Sequence, residues 1–177
     1  MSPVTEAPGR SAPGPARLAW IRLDGEALTR LSPLLEADRA QAVADLQAVN
    51  EFAPCLPSAG EGSLPPAAGP FGLRLSIAEG RLAFDIRDAG DAPLRIVLLA
   101  LGPFRGLIRD YQMIVDSYGE AVAEGRADRI QAIDMGRRGV HDEGAQLMIA
   151  RLAGKIGIDF ATARRIFTLV CVLHQRD

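Results

Sequence analysis

Three apolar segments, the first two alternating, separated by short turns between residues 73 and 101, constrain the fold more than any other feature. Leu73, Leu75 and Ile77 form the first. After Glu79-Gly80, Leu82, Phe84 and Ile86 repeat the pattern, and after a turn over 88–93 Leu94 to Leu101 runs on as a more continuously apolar segment, read as a more buried strand. A period of two places each set on one face of a sheet, and tight turns make successive strands antiparallel. The spacing predicts a β-meander.

Downstream the period changes to that of a helix. Beyond Gly102-Pro103, the residues Phe104, Leu107, Ile108, Tyr111, Ile114, Val115, Tyr118 and Val122 form a broad apolar stripe, with Tyr111 and Tyr118 read as core residues whose hydroxyls reach its rim. Residues 126–154 are helical overall, although Gly136, Gly139 and Gly144 each cost about 1 kcal/mol relative to alanine. Either Gly139 ends one helix and Asp142 caps the next, or one continuous helix packs closely against a neighbour; the continuous helix is adopted. Asp159 caps a last helix, Phe160 to His174, apolar nearly all round and so expected to be buried.

Upstream, residues 1–16 hold four prolines and are read as a disordered tail. Arg17 to Asp24 reads as a strand, with Leu18, Trp20 and Arg22 on one face, Trp20 being a core or sheet-face anchor. Ser32-Pro33 starts a helix expected to run to about Phe52, its outer face (Glu36, Asp38, Arg39, Asp45, Gln47) in solvent. The Pro/Gly-rich segment 53–72 is read as a flexible loop. The expected fold is a single α+β domain over 17–177. A roughly four-stranded antiparallel sheet carries one N-terminal helix and a C-terminal helical group, in the order β-α-β-β-β-α-α-α.

Net charge is −2, so no global basic field favours nucleic acid. Lys155 is the only lysine beside a large set of arginines. Bidentate anion recognition would use that bias, but codon usage in a chain also rich in Ala, Gly and Pro is the preferred reading. Cys55 and Cys171 show no CxxC spacing, no segment has the length and apolarity of a membrane span, and no secretory leader is visible. The cytoplasm is the expected compartment.

Chemically capable groups concentrate in Asp134-Met135-Gly136-Arg137-Arg138-Gly139-Val140-His141-Asp142-Glu143-Gly144. On a continuous helix Asp134, Arg137, Arg138 and His141 occupy neighbouring faces. Two guanidiniums beside an imidazole suit a phosphate or carboxylate, and His141 or Glu143 would be the acid or base of any catalysis. A purely structural reading also stands, with Asp134–Arg138 an ordinary i,i+4 pair and the glycines present for packing. Arg105, Arg164 and Arg165 are the remaining candidate ligand-binding residues. Cys171 and His174, three apart, with His141 or Glu143, are a weak metal set, so no metal site is assigned. No nucleotide or cofactor fingerprint is present and no cofactor is expected. Gly102-Pro103-Phe104-Arg105-Gly106 resembles a strand-to-helix turn that offers amides to an anion, a weak motif.

The segments IDMGRRGVHDEGA, ARRIFTLVCVLH and LGPFRGLIRDY together resemble an uncharacterised bacterial family of the UPF series, number 262, found chiefly in alphaproteobacteria. The similarity covers roughly residues 17–175, includes Asn50-Glu51-Phe52-Ala53-Pro54, and is strongest toward the C-terminus. Asp142 departs from it, where an asparagine is expected, and adds a charge beside His141. The helix over 36–52 is also poorer in glutamate and bulky apolar residues than the family pattern. The resemblance implies a compact cytoplasmic domain and brings no catalytic residues.

Three functional classes follow. The first is a non-catalytic binding or regulatory module whose Arg/His site holds an anionic small molecule or a partner's acidic group. The second is an enzyme on a phosphorylated or carboxylated metabolite, with His141 or Glu143 as acid/base. The third is a homo-oligomeric structural protein packed through the glycine-rich helix.

Overall fold

In a computed structural model, described over residues 16–24, 32–56 and 69–175, the alternating runs become strands. The elements in chain order are β1 (Leu18–Leu23), α1 (Pro33–Ala48), β2 (Phe52–Pro54), β3 (Phe71–Ala78), β4 (Arg81–Asp88), β5 (Pro93–Ala100), a 3-10 turn (Gly102–Phe104), α2 (Arg105–Glu124), α3 (Ala127–Leu152), β6 (Ile156–Ile158) and α4 (Phe160–His174). The fold is α+β, with an N-terminal helix and a C-terminal helical group. The expected tail, apart from Ala16, and most of the 53–72 loop lie outside the described residues; the Ala16 carbonyl accepts from the Phe52 amide at 2.8 Å.

The main sheet has the order β1-β3-β4-β5. β3, β4 and β5 are the antiparallel meander, in register from Phe71 opposite Asp88 to Ala78 opposite Arg81. The expectation of a wholly antiparallel sheet is corrected at β1, which pairs with β3 in parallel. Alternation records which face a side chain occupies but not the direction of the strand. A parallel neighbour needs a long crossover, which the chain through α1 supplies.

A register shift between Leu18 and Trp20 corrects the expected face assignment of β1. Leu18 and Ile21 both point into the core, 2% and 9% exposed, while Trp20 lies across Gly72 on the other face. There its indole N–H donates to the Ala89 carbonyl at 3.1 Å and Arg22 stacks on the ring.

α1 ends at Ala48, short of the expected Phe52. Asn50 ties the end of the helix to β1: its Oδ1 accepts from the Leu18 amide at 2.6 Å and its Nδ2 donates to the Leu18 and Leu46 carbonyls. The chain then extends so that Phe52 pairs with Ile158 in the antiparallel β2–β6 ladder. Two three-residue strands more than a hundred residues apart carry no local periodic signal.

Leu73, Leu75, Leu82, Phe84, Ile86, Val97 and Leu99 form the inner face of the sheet, and the helices cover it. The expectation of a more buried third strand is corrected: β5 is an edge strand, and Ile96 and Leu98 on its outer face are 61% and 48% exposed. α4 is the central helix: it packs on β3, α1, α2 and α3, and its residues Ile166 to Val172 are almost all completely buried. α2 and α3 form a hairpin closed by Gly125, which adopts the left-handed conformation at the end of α2.

Candidate functional site

α3 is one continuous helix through all three glycines. The glycines differ in what they do. A Cβ on Gly144 would fall 2.3–2.4 Å from atoms of the Phe167 ring, so this position lets α3 approach α4. Gly136 and Gly139 are exposed, and nothing lies within 4 Å of a Cβ placed on Gly139. Close packing at Gly144 aligns α3 with α4 so that Arg137, Arg138 and His141 face Arg164, Arg165 and Thr168. α1 closes the third side with Asp38, Gln41 and Ala42, and the three helices enclose a cavity of about 360 Å³.

His141 sits at the cavity wall, 6% exposed. Its ring lies 5.2 Å from that of Tyr111 and edge-on to Phe167 at 6.3 Å. Burial pushes its pKa down to about 4, and the Arg164 charge pushes in the same direction. The imidazole is therefore neutral at neutral pH. Thr168 donates its hydroxyl proton to the Arg164 carbonyl at 3.0 Å, so the 3.5 Å contact between Thr168 Oγ1 and His141 Nε2 is favourable when Nε2 carries the ring proton.

Each arginine at the cavity has a carboxylate partner. Arg137 bridges Asp38 at 2.6 Å and Asp134 at 2.7 Å. Arg138 approaches Asp134 at 3.1 Å, Arg164 holds Asp142 through Nε at 2.9 Å, and Arg165 holds Asp45 at 2.8 Å. Four aspartates thus offset four arginines, so the cavity presents directed N–H donors more than a net positive field. Burial alone would lower the Arg137 pKa, but its bonds to Asp134 and Asp38 outweigh that and raise it. The Arg137 hydrogen bond in turn holds Asp134 below the usual carboxylate range. Arg164 commits only Nε among the described residues, and its two terminal amino groups have no side-chain partner there.

Asp38 also accepts a hydrogen bond from the hydroxyl of the fully buried Tyr111. Burial and the Asp38 charge push the Tyr111 phenol far above its ordinary value. Tyr111, Asp38, Arg137 and Asp134 therefore form one chain of polar contacts joining α2, α1 and α3.

The expected solvated face of α1 is exposed at Glu36 and Gln47 and is corrected at Asp38 and Asp45 by these contacts. The Asp38 side chain is only 11% exposed and Asp45 pairs with Arg165. Sequence reasoning missed Asp38, Gln41 and Thr168 as site residues. The available signal was the seven-residue spacing of Asp38 and Asp45, which puts two carboxylates on one face of α1 in a chain with arginine-rich C-terminal helices.

Two of the candidates lie elsewhere. Glu143 is exposed on α3 and does not line the cavity. Arg105 lines a different cavity with Gly80, Leu101, Arg109 and His174. Cys171 is wholly buried, which pushes its thiol pKa well up. Among the described residues no group of three or more His, Cys, Asp or Glu side chains is placed to hold a metal, and no helix is long and apolar enough to cross a membrane.

A family model described as "Uncharacterised protein family (UPF0262)" matches residues 15–176. The UPF0262 protein of Granulibacter bethesdensis is 64% identical over 162 residues, 90% of each chain. That of Acidiphilium cryptum is 56% identical over 160 residues, 90% of this chain and 93% of its own. That of Bradyrhizobium diazoefficiens is 48% identical over 160 residues, 90% and 92%. All three sources are alphaproteobacteria. No solved structure matches the chain. The chain belongs to the UPF0262 family.

Proposed function

We propose that this member of the UPF0262 family is a non-catalytic binding or regulatory module. Its α1–α3–α4 cavity would hold the anionic group of a phosphorylated or carboxylated small molecule, or an acidic group of a protein partner. The observation that carries the reading is the convergence of Arg137, Arg138, Arg164 and Arg165 from two helices on one cavity of about 360 Å³. Arg137 is the internal brace, spent on Asp38 and Asp134. Arg164 and Arg165 supply the ligand's donors, and Arg138, 71% exposed at its side chain, stands at the mouth. The neutral His141 adds one hydrogen bond without a further charge.

Acid–base catalysis has less support. A ring held near pKa 4 carries almost no proton to donate at neutral pH, and Glu143 is outside the cavity. The reading places the protein in the cytoplasm; free thiols at the exposed Cys55 and the buried Cys171 suit a reducing compartment.

Thermal-shift measurements with phosphates, nucleotides and di- and tricarboxylic acids test this reading. A ligand at a hundred times its Kd adds about 2.7 kcal/mol, which a melting curve resolves. The shift should vanish in an Arg164→Ala/Arg165→Ala protein that still folds. No shift across the panel, or one retained in that variant, removes the proposal.

A further inference from the structure

The second cationic cavity differs from the first in a way that points to a ligand of its own. It measures about 440 Å³ and is lined by Gly80, Leu101, Arg105, Arg109 and His174. Arg137, Arg138, Arg164 and Arg165 each have a carboxylate. Arg105 and Arg109 have neither an ion pair nor a side-chain hydrogen bond among the described residues. They stand four apart on α2, so they share one face, where two like charges oppose each other. His174, on the last turn of α4, brings a third nitrogen-bearing group from a separate helix.

The backbone around them is shaped for close approach. Gly80 occupies the left-handed region at φ 70°, and a Cβ placed there would stand 3.6 Å from Arg105 Nη2. The Arg105 guanidinium therefore lies against the β3–β4 turn. The Leu101 amide is tied to the Gly80 carbonyl at 3.0 Å, which fixes that turn to the start of the helical segment. α2 begins with no side-chain cap, so the positive end of its dipole lies beside Arg105.

We infer that this cavity is a second anion site, separate from the α1–α3–α4 cavity, and that it takes a phosphate group, free or as a monoester. A tetrahedral dianion bridges the Arg105 and Arg109 forks, accepts from His174, and removes the repulsion between two like charges. The inference does not rest on the function proposed for the first cavity.

The chain has two histidines, and each lines a different cavity. Their ring C–H signals in an NMR spectrum of the full-length protein thus report the two sites separately, with assignment by His174→Gln. Inorganic phosphate is titrated at neutral pH against chloride at matched ionic strength. The His174 signal should move and saturate, and it should do so equally in Arg164→Ala. In Arg105→Gln/Arg109→Gln the apparent affinity should fall by roughly tenfold or more, the loss of charge-assisted bonds. Both arginines are exposed, so the variant should fold, and single Arg105→Gln and Arg109→Gln proteins give the same reading should the double one fail. An unmoved His174 signal, a linear unsaturated drift, or an unchanged response in the arginine variants overturns the inference. Movement of His141 alone overturns it too, while supporting the first cavity as the phosphate site.

Discussion

Taking the protein from neutral into mildly acidic solution probes the surroundings of His141 directly. The ring is 6% exposed, and its pKa is about 4 in the folded protein against an ordinary 6.5. In the unfolded chain it gains a proton near its ordinary value; in the folded chain it does so only near 4. Between those limits the unfolded state binds more protons, so stability is full above the unfolded value and declines as the pH falls. At about 1.4 kcal/mol per pH unit, the loss reaches about 3 kcal/mol across the interval.

The assay is urea unfolding from about pH 7 to about pH 4.5, for the wild type and for His141→Gln, which cannot titrate there. Carboxylates contribute to both proteins, so the difference between them isolates the imidazole. The wild type should lose about 1 M or more of urea midpoint relative to the variant. Parallel pH profiles would refute the reasoning, as would a ring C–H signal that titrates near the ordinary histidine value. Either result would also restore His141 as an available acid or base and weaken the preference for a binding module.

Asp38→Ala should cost about 2–4 kcal/mol, since it strands the buried Tyr111 hydroxyl and leaves Arg137 with Asp134 alone. Tyr111→Phe should then cost at least about 1 kcal/mol less in the Asp38→Ala background than in the wild type; equal costs in a double-mutant cycle by urea unfolding would show that the pair is not coupled. Gly144→Ala and Gly139→Ala should move the melting temperature in opposite directions. The first forces a Cβ against Phe167, costing about 1–3 kcal/mol of overpacking, partly offset by helix propensity. The second meets open space and gains up to about 1 kcal/mol. Equal shifts would mean that α3 and α4 are not packed as described.

Much of the fold was legible because its signals are local. Leu73 to Leu101 alternates in strands that pair with their sequence neighbours, and the caps Ser32 and Asp159 bind amides three residues on. β2 and β6 were invisible because Phe52 and Ile158 become a strand pair only by meeting each other. The bulge at β1 was hidden for a similar reason: it accompanies a bond from Leu18 to Asn50, 32 residues away, while Ile21 still reaches the core.

The candidate site divides along the same line. Chain order alone put Asp134, Arg137, Arg138 and His141 on adjacent helical faces, and the composition of 134–144 marked them as capable of anion chemistry. Which other groups join them was a tertiary outcome. Arg137 meets Asp38 across 99 positions and Arg164 meets Asp142 across 22. Gly144 lets α3 lie against Phe167, and α1 then closes the cavity. The same packing left Arg105 at the far cavity and Glu143 in solvent, and it made His141 neutral by burying it. Periodicity and capping act over a few residues, so the sequence by itself determined the elements and the chemistry available. Charge pairing and burial depend on which elements share a volume, and only the packed structure decided those.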